Sequence, residues 1–484
     1  MPHARGVEFA SLPRARRAAV ALGLLSVACT AGSPSRPVTG VAPSPSCAII
    51  RSQPGAAGPV GEIAVAAAAP LDRSHVPIPR SVAERFAFAQ LYETLIGVDC
   101  EGRAYPALAK SWMLDGTGTR ITLLIRDGAQ FWDGKPLVTS DVVAAWRATG
   151  GQSTAPSRLA ARVAARVAEE ATIVDDRTLT ISLHDTAWRI LADPALAVYR
   201  PQPGAAWAEG TARYRVDERP HGSDRGSLLL ADPSAAGPGL AITPIRADDA
   251  RDAIDRGADV VVTADPLTIS YAATRPELAA ISLPWSRAYA LAVPRFGPAD
   301  AALLGSMLGD SAFAFRASLA RDAVRVEAHA ADSLNWWSDV SACEPLGPLV
   351  EPQRGAEVRP MRFAYDASDR VARQLAERLA ALGNHATAVP LAHDAFTRAL
   401  HDGSEPAYVI ALSRAALDAC DDAAKLVTSA PWILALDGAG TSSAAPRVIP
   451  LIETRDRAIV NRDRVAATID WDGTLRFGGA ARAP

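Results

Sequence analysis

The sequence predicts an α/β fold with more than one domain, and two observations support this. Segments that read as strands, such as residues 62–68 and 259–263, recur between segments with helical periodicity, such as residues 82–96. The chain has 484 residues, of which 49% are hydrophobic and 21% charged, and that length is typical of two or three folded domains. We therefore expect strands and helices layered against each other in separate bodies.

The helix predicted over residues 82–96 has a recognisable start. Ser81 stands at the N-cap position and Glu84 follows three residues later, which is the capping-box pattern. Phe88, Leu91 and Leu95 then recur at helical spacing and predict one apolar face.

The next elements alternate in the same way. Residues 121–125 predict a strand, and Asp-Gly turn signals follow it. Thr139 is placed to cap the following helix, with Asp141 near its positive end and Trp146 on its inward face. A further strand is predicted over residues 179–183.

The clearest unit lies late in the chain and predicts a β-α-β arrangement. Residues 361–365 read as a strand, and an apolar helical stripe runs from Val371 to Leu382. Gly383 is placed to end that helix, and residues 386–391 resume as a strand.

The N-terminus predicts export. Residues 1–28 contain arginines, a short apolar stretch and a small-residue ending, which are the parts of a secretory signal. Ser26, Val27 and Ala28 before Cys29 are similar to a bacterial lipobox, in which the cysteine receives a lipid. Plain secretion, with Cys29 incidental, is the alternative. Residues 29–60 are rich in Pro, Ser and Gly and predict a flexible tether.

Several classes of function are excluded by charge and motif content. Lys and Arg number 50 against 53 Asp and Glu, a formal charge of -3 that argues against a nucleic-acid partner. No apolar run after the signal is long enough for a membrane span. Neither G-x-S-x-G nor H-E-x-x-H occurs, and no histidines or cysteines have metal-ligand spacing. We expect no catalytic residues, no metal and no cofactor, hence a protein that is not an enzyme.

A connected set of motifs carries a family resemblance. The dense motifs are LYETLIGVD (91–99), IRDG (125–128), FWDGKPL (131–137) and SDVV (140–143), and weaker ones are GTARY (210–214) and GADVV (257–261). Together they resemble the family 5 extracytoplasmic solute-binding proteins, the peptide-binding components of ABC transporters.

The resemblance implies a type II, cluster C-like periplasmic-binding-protein fold with two lobes and a hinge between them. It places lobe one at residues 61–289, lobe two at 290–448 and a return to lobe one at 449–484, with crossings near residues 289–294 and 449. It also implies a monomer outside the cytosol that captures a peptide or similar small solute between the lobes and delivers it to an ABC permease. A lipid on Cys29 would hold the protein at a membrane.

Large aromatic residues near the implied cleft are the candidates for ligand contact. We expect Trp285 and Tyr289 at the crossing, and Trp336 and Trp337 in lobe two, to line it, with Arg287 available for a ligand carboxylate. Packing within a lobe is the alternative role for each aromatic residue.

The main departure of the sequence from the peptide binders of the family lies late in lobe two. Those proteins carry an aromatic-acidic stretch late in lobe two, whose Asp meets the amino terminus of the peptide. No such stretch occurs between Ser404 and Ala439.

Cysteine usage fits an oxidising compartment. If Cys29 is acylated, Cys47, Cys100, Cys343 and Cys420 remain, and three pairings of them are possible. The lobe assignment favours Cys47 with Cys100 and Cys343 with Cys420, because each pair then stays within one lobe. Four unpaired thiols are the alternative.

Two other functions stay open. One is a divergent family member that acts as a sensor or scaffold in the cell envelope, and the other is a hydrolase of peptides or esters.

Overall fold

The structure is a computed structural model. It describes residues 36–38, 42–50, 61–67, 71–151, 158–183, 188–217, 227–234, 237–246, 249–284, 286–294, 328–330, 361–381, 386–414, 419–433 and 447–477. The strands are β1 (Arg36–Val38), β2 (Ala48–Ile49), β3 (Glu62–Ala67), β4 (Ile96–Val98), β5 (Ala104–Pro106), β6 (Ala109–Leu114), β7 (Arg120–Ile125), β8 (Ala171–Ile173), β9 (Thr178–Ser182), β10 (Tyr199–Arg200), β11 (Glu209–Gly210), β12 (Arg215–Val216), β13 (Leu228–Ala231), β14 (Gly239–Pro244), β15 (Val260–Thr263), β16 (Leu278–Ser282), β17 (Arg287–Val293), β18 (Ala328–Ala330), β19 (Arg362–Asp366), β20 (Thr387–Leu391), β21 (Ala407–Ser413), β22 (Arg447–Thr454), β23 (Arg457–Asn461), β24 (Ala467–Ile469) and β25 (Leu475–Phe477). The α-helices are α1 (Val82–Leu91), α2 (Thr139–Gly150), α3 (Arg158–Glu170), α4 (Ala250–Asp255), α5 (Pro266–Ala272), α6 (Arg370–Ala380), α7 (His393–Asp402) and α8 (Ala419–Ser429).

A seven-stranded sheet forms the centre of the first body, in the order β12-β13-β14-β3-β15-β23-β16. Strands β14, β3 and β15 are parallel, and β23 lies antiparallel between β15 and β16. Successive residues of β15 enter different cores: Val260 and Val262 pack on one face, and Val261 packs on the other with Ile254 of α4. Because both faces are covered, the consecutive valines 260–262 of this strand are all buried.

A five-stranded antiparallel sheet, in the order β1-β6-β7-β9-β8, extends the same hydrophobic core. Helices α2 and α3 pack together beside it, and the fully buried Trp146 of α2 donates a hydrogen bond from Nε1 to the carbonyl of Leu196 at 2.7 Å. The short sheet β2-β24-β25 joins this core from the C-terminal end. We call these three sheets and their helices the first lobe.

The second lobe is built on a six-stranded sheet in the order β18-β22-β17-β21-β19-β20. The alternation along β17 divides its side chains between two cores, with Leu291 and Val293 on the α6 face and Ala290 and Ala292 on the opposite face. Trp432 fills the second of these cores and donates from Nε1 to the carbonyl of Leu400 at 2.6 Å.

The chain passes between the two lobes twice, from β16 to β17 and from β22 to β23. The passages run side by side, since Leu283 N–H donates to the carbonyl of Asp456 at 3.0 Å and Ser286 N–H to that of Thr454 at 3.3 Å. The resemblance implied crossings near residues 289–294 and 449. Both segments instead lie within strands of the second lobe, because a likeness in the order of motifs does not specify which sheet a strand joins.

The N-terminal tether predicted over residues 29–60 is partly wrong. Strand β1 pairs with β6, β2 pairs with β24, and a disulfide joins Cys47 to Cys100, as the lobe assignment favoured. Strand pairing uses backbone groups and the disulfide is covalent, so neither requires the apolar periodicity that the segment lacks. Cys343 lies outside the described residues, and the side chain of Cys420 is not described.

The predicted helix starts are correct in position but differ in detail. Ser81 accepts a hydrogen bond from Glu84 N–H at 3.1 Å, while the Glu84 carboxylate accepts from the N–H groups of Arg80 and Asp72. The first helix ends at Leu91 rather than at residue 96. Thr139 is the first helical residue rather than the cap, and its hydroxyl donates to the carbonyl of Asp175 at 2.6 Å.

The predicted strands at residues 62–68, 121–125 and 259–263 are confirmed by β3, β7 and β15. The β-α-β unit is confirmed as well, because β19 and β20 are parallel and α6 connects them. Leu382 and Gly383, predicted at the end of that helix, lie outside the described residues. Across the described part of the chain, no helix combines the length and apolar character needed to cross a membrane.

Candidate ligand-binding site

Parallel strands of both lobes direct their carboxyl ends to the space between the lobes. In the first lobe these strands are β3, β14 and β15, and in the second lobe they are β19, β20 and β21. Ligands of open α/β sheets bind beyond the carboxyl ends of such strands. The segments that follow β15 and β19 meet across the interface, so this space is the candidate site.

The N-termini of α5 and α6 supply the charged groups at this interface. Asp265 caps α5, accepting from Thr268 N–H and Oγ1, and Asp369 caps α6, accepting from the N–H groups of Val371 and Ala372. Arg370, the first residue of α6, donates from Nη1 to Asp265 Oδ1 at 2.9 Å.

The electrostatics of Asp265 follow from these contacts. Burial alone would raise the pKa of its carboxyl, but the hydrogen bonds from Thr268 and the nearby Arg370 guanidinium outweigh burial and hold that pKa below its ordinary value. Asp265 is therefore ionised at neutral pH and available as an anionic partner on the first-lobe side.

A second charged group lies at the start of strand β17, directly after the crossing. Arg287 Nη1 donates to the Tyr289 hydroxyl oxygen at 3.5 Å, and that hydroxyl lies 3.1 and 3.2 Å from the two oxygens of Asp369. The pKa of the Arg287 guanidinium lies above its ordinary value, because the Tyr289 oxygen and the carboxylates of Asp456 and Asp369 are close to it. Arg287 therefore stays cationic. Burial raises the pKa of Tyr289, so its hydroxyl remains protonated and donates to Asp369.

The structure brings together two of the five residues predicted to contact ligand. Arg287 and Tyr289 share one hydrogen-bonded group, but Tyr289 is fully buried and packs within the second lobe, which was its alternative role. Trp285, Trp336 and Trp337 lie outside the described residues.

Sequence reasoning missed Asp265, Asp369 and Arg370. The signal for Asp265 was present, because an Asp followed by Pro266 at the first helical position is a helix start. Their meeting across the interface has no sequence signal, since residues 265 and 370 are 105 positions apart.

Two small cavities flank the crossing on the first-lobe side. One of about 10 Å³ is lined in part by Leu283, Pro284, Ser286 and Asp456. The other, of about 40 Å³, lies between α1 and the segment around Trp471. Both are lined by Arg85, Asp472 and Thr474 as well, so they are neighbouring parts of one region. Within the described residues, no group of three or more His, Cys, Asp or Glu side chains is placed to hold a metal ion.

One segment of the chain is similar in sequence to known proteins. Residues 103–227 match the family model described as bacterial extracellular solute-binding proteins, family 5 Middle. Over 123 residues the chain is 33% identical to the probable deoxycholate-binding periplasmic protein YgiS of Escherichia coli (strain K12). That match covers 22% of this chain and 23% of the relative, so it spans less than a quarter of the relative's length.

Solved structures match over most of the chain. The murein tripeptide binding protein MppA of Escherichia coli is similar with a TM-score of 0.58 and 14% identity, over 87% of this chain and 99% of that one. A dipeptide binding protein from Pseudoalteromonas sp. SM9913, in complex with Met-Leu, is similar with a TM-score of 0.60 and 13% identity. The match covers 86% of this chain and 98% of that one. NikA from Brucella suis, in complex with Fe(III)-EDTA, is similar with a TM-score of 0.57 and 14% identity. The match covers 86% of this chain and 99% of that one.

These likenesses show the mixed α/β fold of the two-lobed type II periplasmic binding proteins. The segment matched by the family 5 model, residues 103–227, contains most of the motifs that carry the resemblance and confirms that resemblance there.

Proposed function

We propose that this protein captures a peptide or similar small solute between its two lobes and delivers it to an ABC permease from the extracytoplasmic side. A lipid on Cys29 holds it at the membrane. The observation that supports this proposal most directly is that the carboxyl ends of the parallel strands of both lobes face one interface. There Arg370 of the second lobe contacts Asp265 of the first, and Arg287 begins the strand that follows the first crossing.

Two physical arguments support solute capture at this interface. Paired crossings let two lobes rotate about a short segment, which is how such proteins close around a ligand. A closed interface excludes water, so an ionic group of the solute requires a charged partner from the protein. Arg287 is such a partner for a carboxylate, because it stays cationic and its hydrogen bond to the neutral Tyr289 hydroxyl is long.

A binding panel tests the proposal. Calorimetry and thermal shift on the mature protein are run with a murein tripeptide, Met-Leu, deoxycholate and Fe(III)-EDTA, the ligands that the relatives' names indicate. We expect at least one solute to bind and to raise the melting temperature. Substituting Arg287→Met should weaken a carboxylate ligand about tenfold or more, because a charge-assisted hydrogen bond is lost.

The matched control is Arg147→Met, which changes an exposed arginine on α2 of the first lobe. It should bind with the affinity of the original protein. Solute capture is contradicted if the folded protein binds nothing in the panel or in a wider set of peptides, sugars and metal chelates.

A further inference from the structure

Beyond solute capture, we propose that Asp265 and Arg370 form a latch between the lobes, an ion pair that holds them together when no solute is bound. Asp265 caps α5 of the first lobe and Arg370 begins α6 of the second lobe. Their contact, Nη1 to Oδ1 at 2.9 Å, therefore joins the two lobes directly, outside the crossings.

The carboxylate of the latch is held in place by its own helix. Asp265 Oδ2 accepts from Thr268 N–H at 3.0 Å and from Thr268 Oγ1 at 2.7 Å, while Oδ1 accepts from Leu267 N–H at 3.4 Å. Its side chain is 24% exposed. Because this partner is already ordered, forming the ion pair costs conformational entropy mainly in Arg370, whose side chain is 57% exposed.

The charges around the latch favour the closed interface. The N-termini of α5 and α6 carry partial positive charge and lie on opposite sides of the interface, which alone would repel. The carboxylates of Asp265 and Asp369 neutralise the two helix N-termini. Arg370 contacts Asp265, and the Tyr289 hydroxyl connects Arg287 to Asp369. Opposite signs are therefore neighbours throughout this group.

Other described contacts also join the lobes. Helix α8 of the second lobe lies against α3 of the first, and Arg414 of the second lobe lies over the Trp471 ring of the first, 5.4 Å from its centroid. The N–H of Arg414 also donates to the carbonyl of Ser286, beside the crossing. For the latch to act, the contact between α5 and α6 must break when the lobes rotate apart, whereas contacts at the crossing itself change little.

The ion pair is strong enough to shift the ratio of open to closed molecules but too weak to keep every molecule closed. Exposed ion pairs contribute little to stability, so breaking this one should change the ratio of open to closed molecules about threefold. A bound solute that contacts both lobes can override a bias of that size. In the absence of solute, the pair would keep a fraction of the molecules closed.

The test measures lobe separation in the full mature chain without solute. Fluorescent labels are attached through non-canonical amino acids at the exposed positions 256 and 398, and single-molecule energy transfer reports the fraction of open molecules. Asp265→Asn, which retains a capping side chain, and Arg370→Gln should each increase the open-to-closed ratio about threefold. The charge-exchanged pair, D265R with R370D, should restore part of the closed population.

Arg373→Gln is the matched control, because it breaks an exposed ion pair with Glu377 within α6 without touching the first lobe. It should leave the ratio unchanged, and 1 M salt should open the original protein but not the latch variants. The latch is refuted if Asp265→Asn and Arg370→Gln give the same ratio as the original protein. Because no solute is present, this outcome is independent of whether the proposed transport function holds.

Discussion

At the scale of single residues, the ion pair between Arg213 and Asp232 shows what motifs indicate and what they omit. Arg213 belongs to the GTARY motif, and Asp232 follows β13. Nε and Nη2 of Arg213 contact one oxygen of Asp232 at 2.8 and 2.6 Å, and the aspartate side chain is 2% exposed. The sequence identified the GTARY motif but gave no signal that Arg213 meets Asp232.

This pair predicts a defined pH dependence of stability. Burial alone would raise the pKa of Asp232, but the hydrogen bonds from Arg213 and Ser234 outweigh it and lower that pKa. A lowered pKa in the folded state contributes stability above the unfolded value of about 4, and the contribution disappears as pH falls through the folded value. Asp232→Asn should lower the free energy of unfolding by about 1–3 kcal/mol at pH 7.

Urea unfolding, followed by circular dichroism between pH 7 and pH 2, measures this effect. The two curves of unfolding free energy against pH should converge near the acid end, where the aspartate is protonated in both states. Asp252→Asn, at an exposed position on α4, is the control and should change stability by a few tenths of a kcal/mol. A constant gap between Asp232→Asn and the original protein at every pH would contradict the assignment.

At the scale of elements, the sequence predicted those with strong apolar patterns. The buried residues of strand β7 alternate and those of helix α6 recur at helical spacing, while β3 and β15 are short apolar runs with most or all of their residues buried. Strands β1 and β2 were missed because short pairings in a Pro- and Ser-rich segment depend on a partner distant in sequence.

The disulfide between Cys47 and Cys100 is predicted to stabilise this N-terminal attachment. It closes a loop with a sequence separation of 53 residues, and loops of this size give about 4 kcal/mol of stabilisation on the chain-entropy account, often less in practice. Cys47→Ser combined with Cys100→Ser should lower the free energy of unfolding by about 2–4 kcal/mol in urea titrations.

Reduced original protein is the matched control, and it should unfold at the same urea concentration as the double variant. Equal stability of the oxidised protein and the double variant would show that the bond contributes nothing to the fold.

At the scale of the whole molecule, two lobes were predicted from the resemblance, whereas the sites of passage depended on strand membership that only the structure gives. The charged interface between the lobes was likewise beyond the sequence. Asp369, Arg370 and Asp265 are ordinary helix-start residues in the sequence, and their proximity exists because the sheets of both lobes direct parallel strands to one side.

The proposed membrane attachment is also a property of the whole molecule. In a bacterial host, the mature protein should label with an alkyne fatty acid and sediment with membranes, and Cys29→Ser should remove both properties. The Cys47→Ser, Cys100→Ser double variant retains Cys29 and should still be labelled. Labelling of the Cys29→Ser protein, or a soluble original protein, would favour plain secretion.

The position of β23 has a consequence for biosynthesis. This strand lies in the interior of the seven-stranded sheet, between β15 and β16, yet the strands of the second lobe, β17 to β22, separate it from them in sequence. Until Arg457–Asn461 is synthesised, β15 and β16 present free edges that can pair with other chains. The central sheet of the first lobe is therefore completed only after the second lobe has been translated.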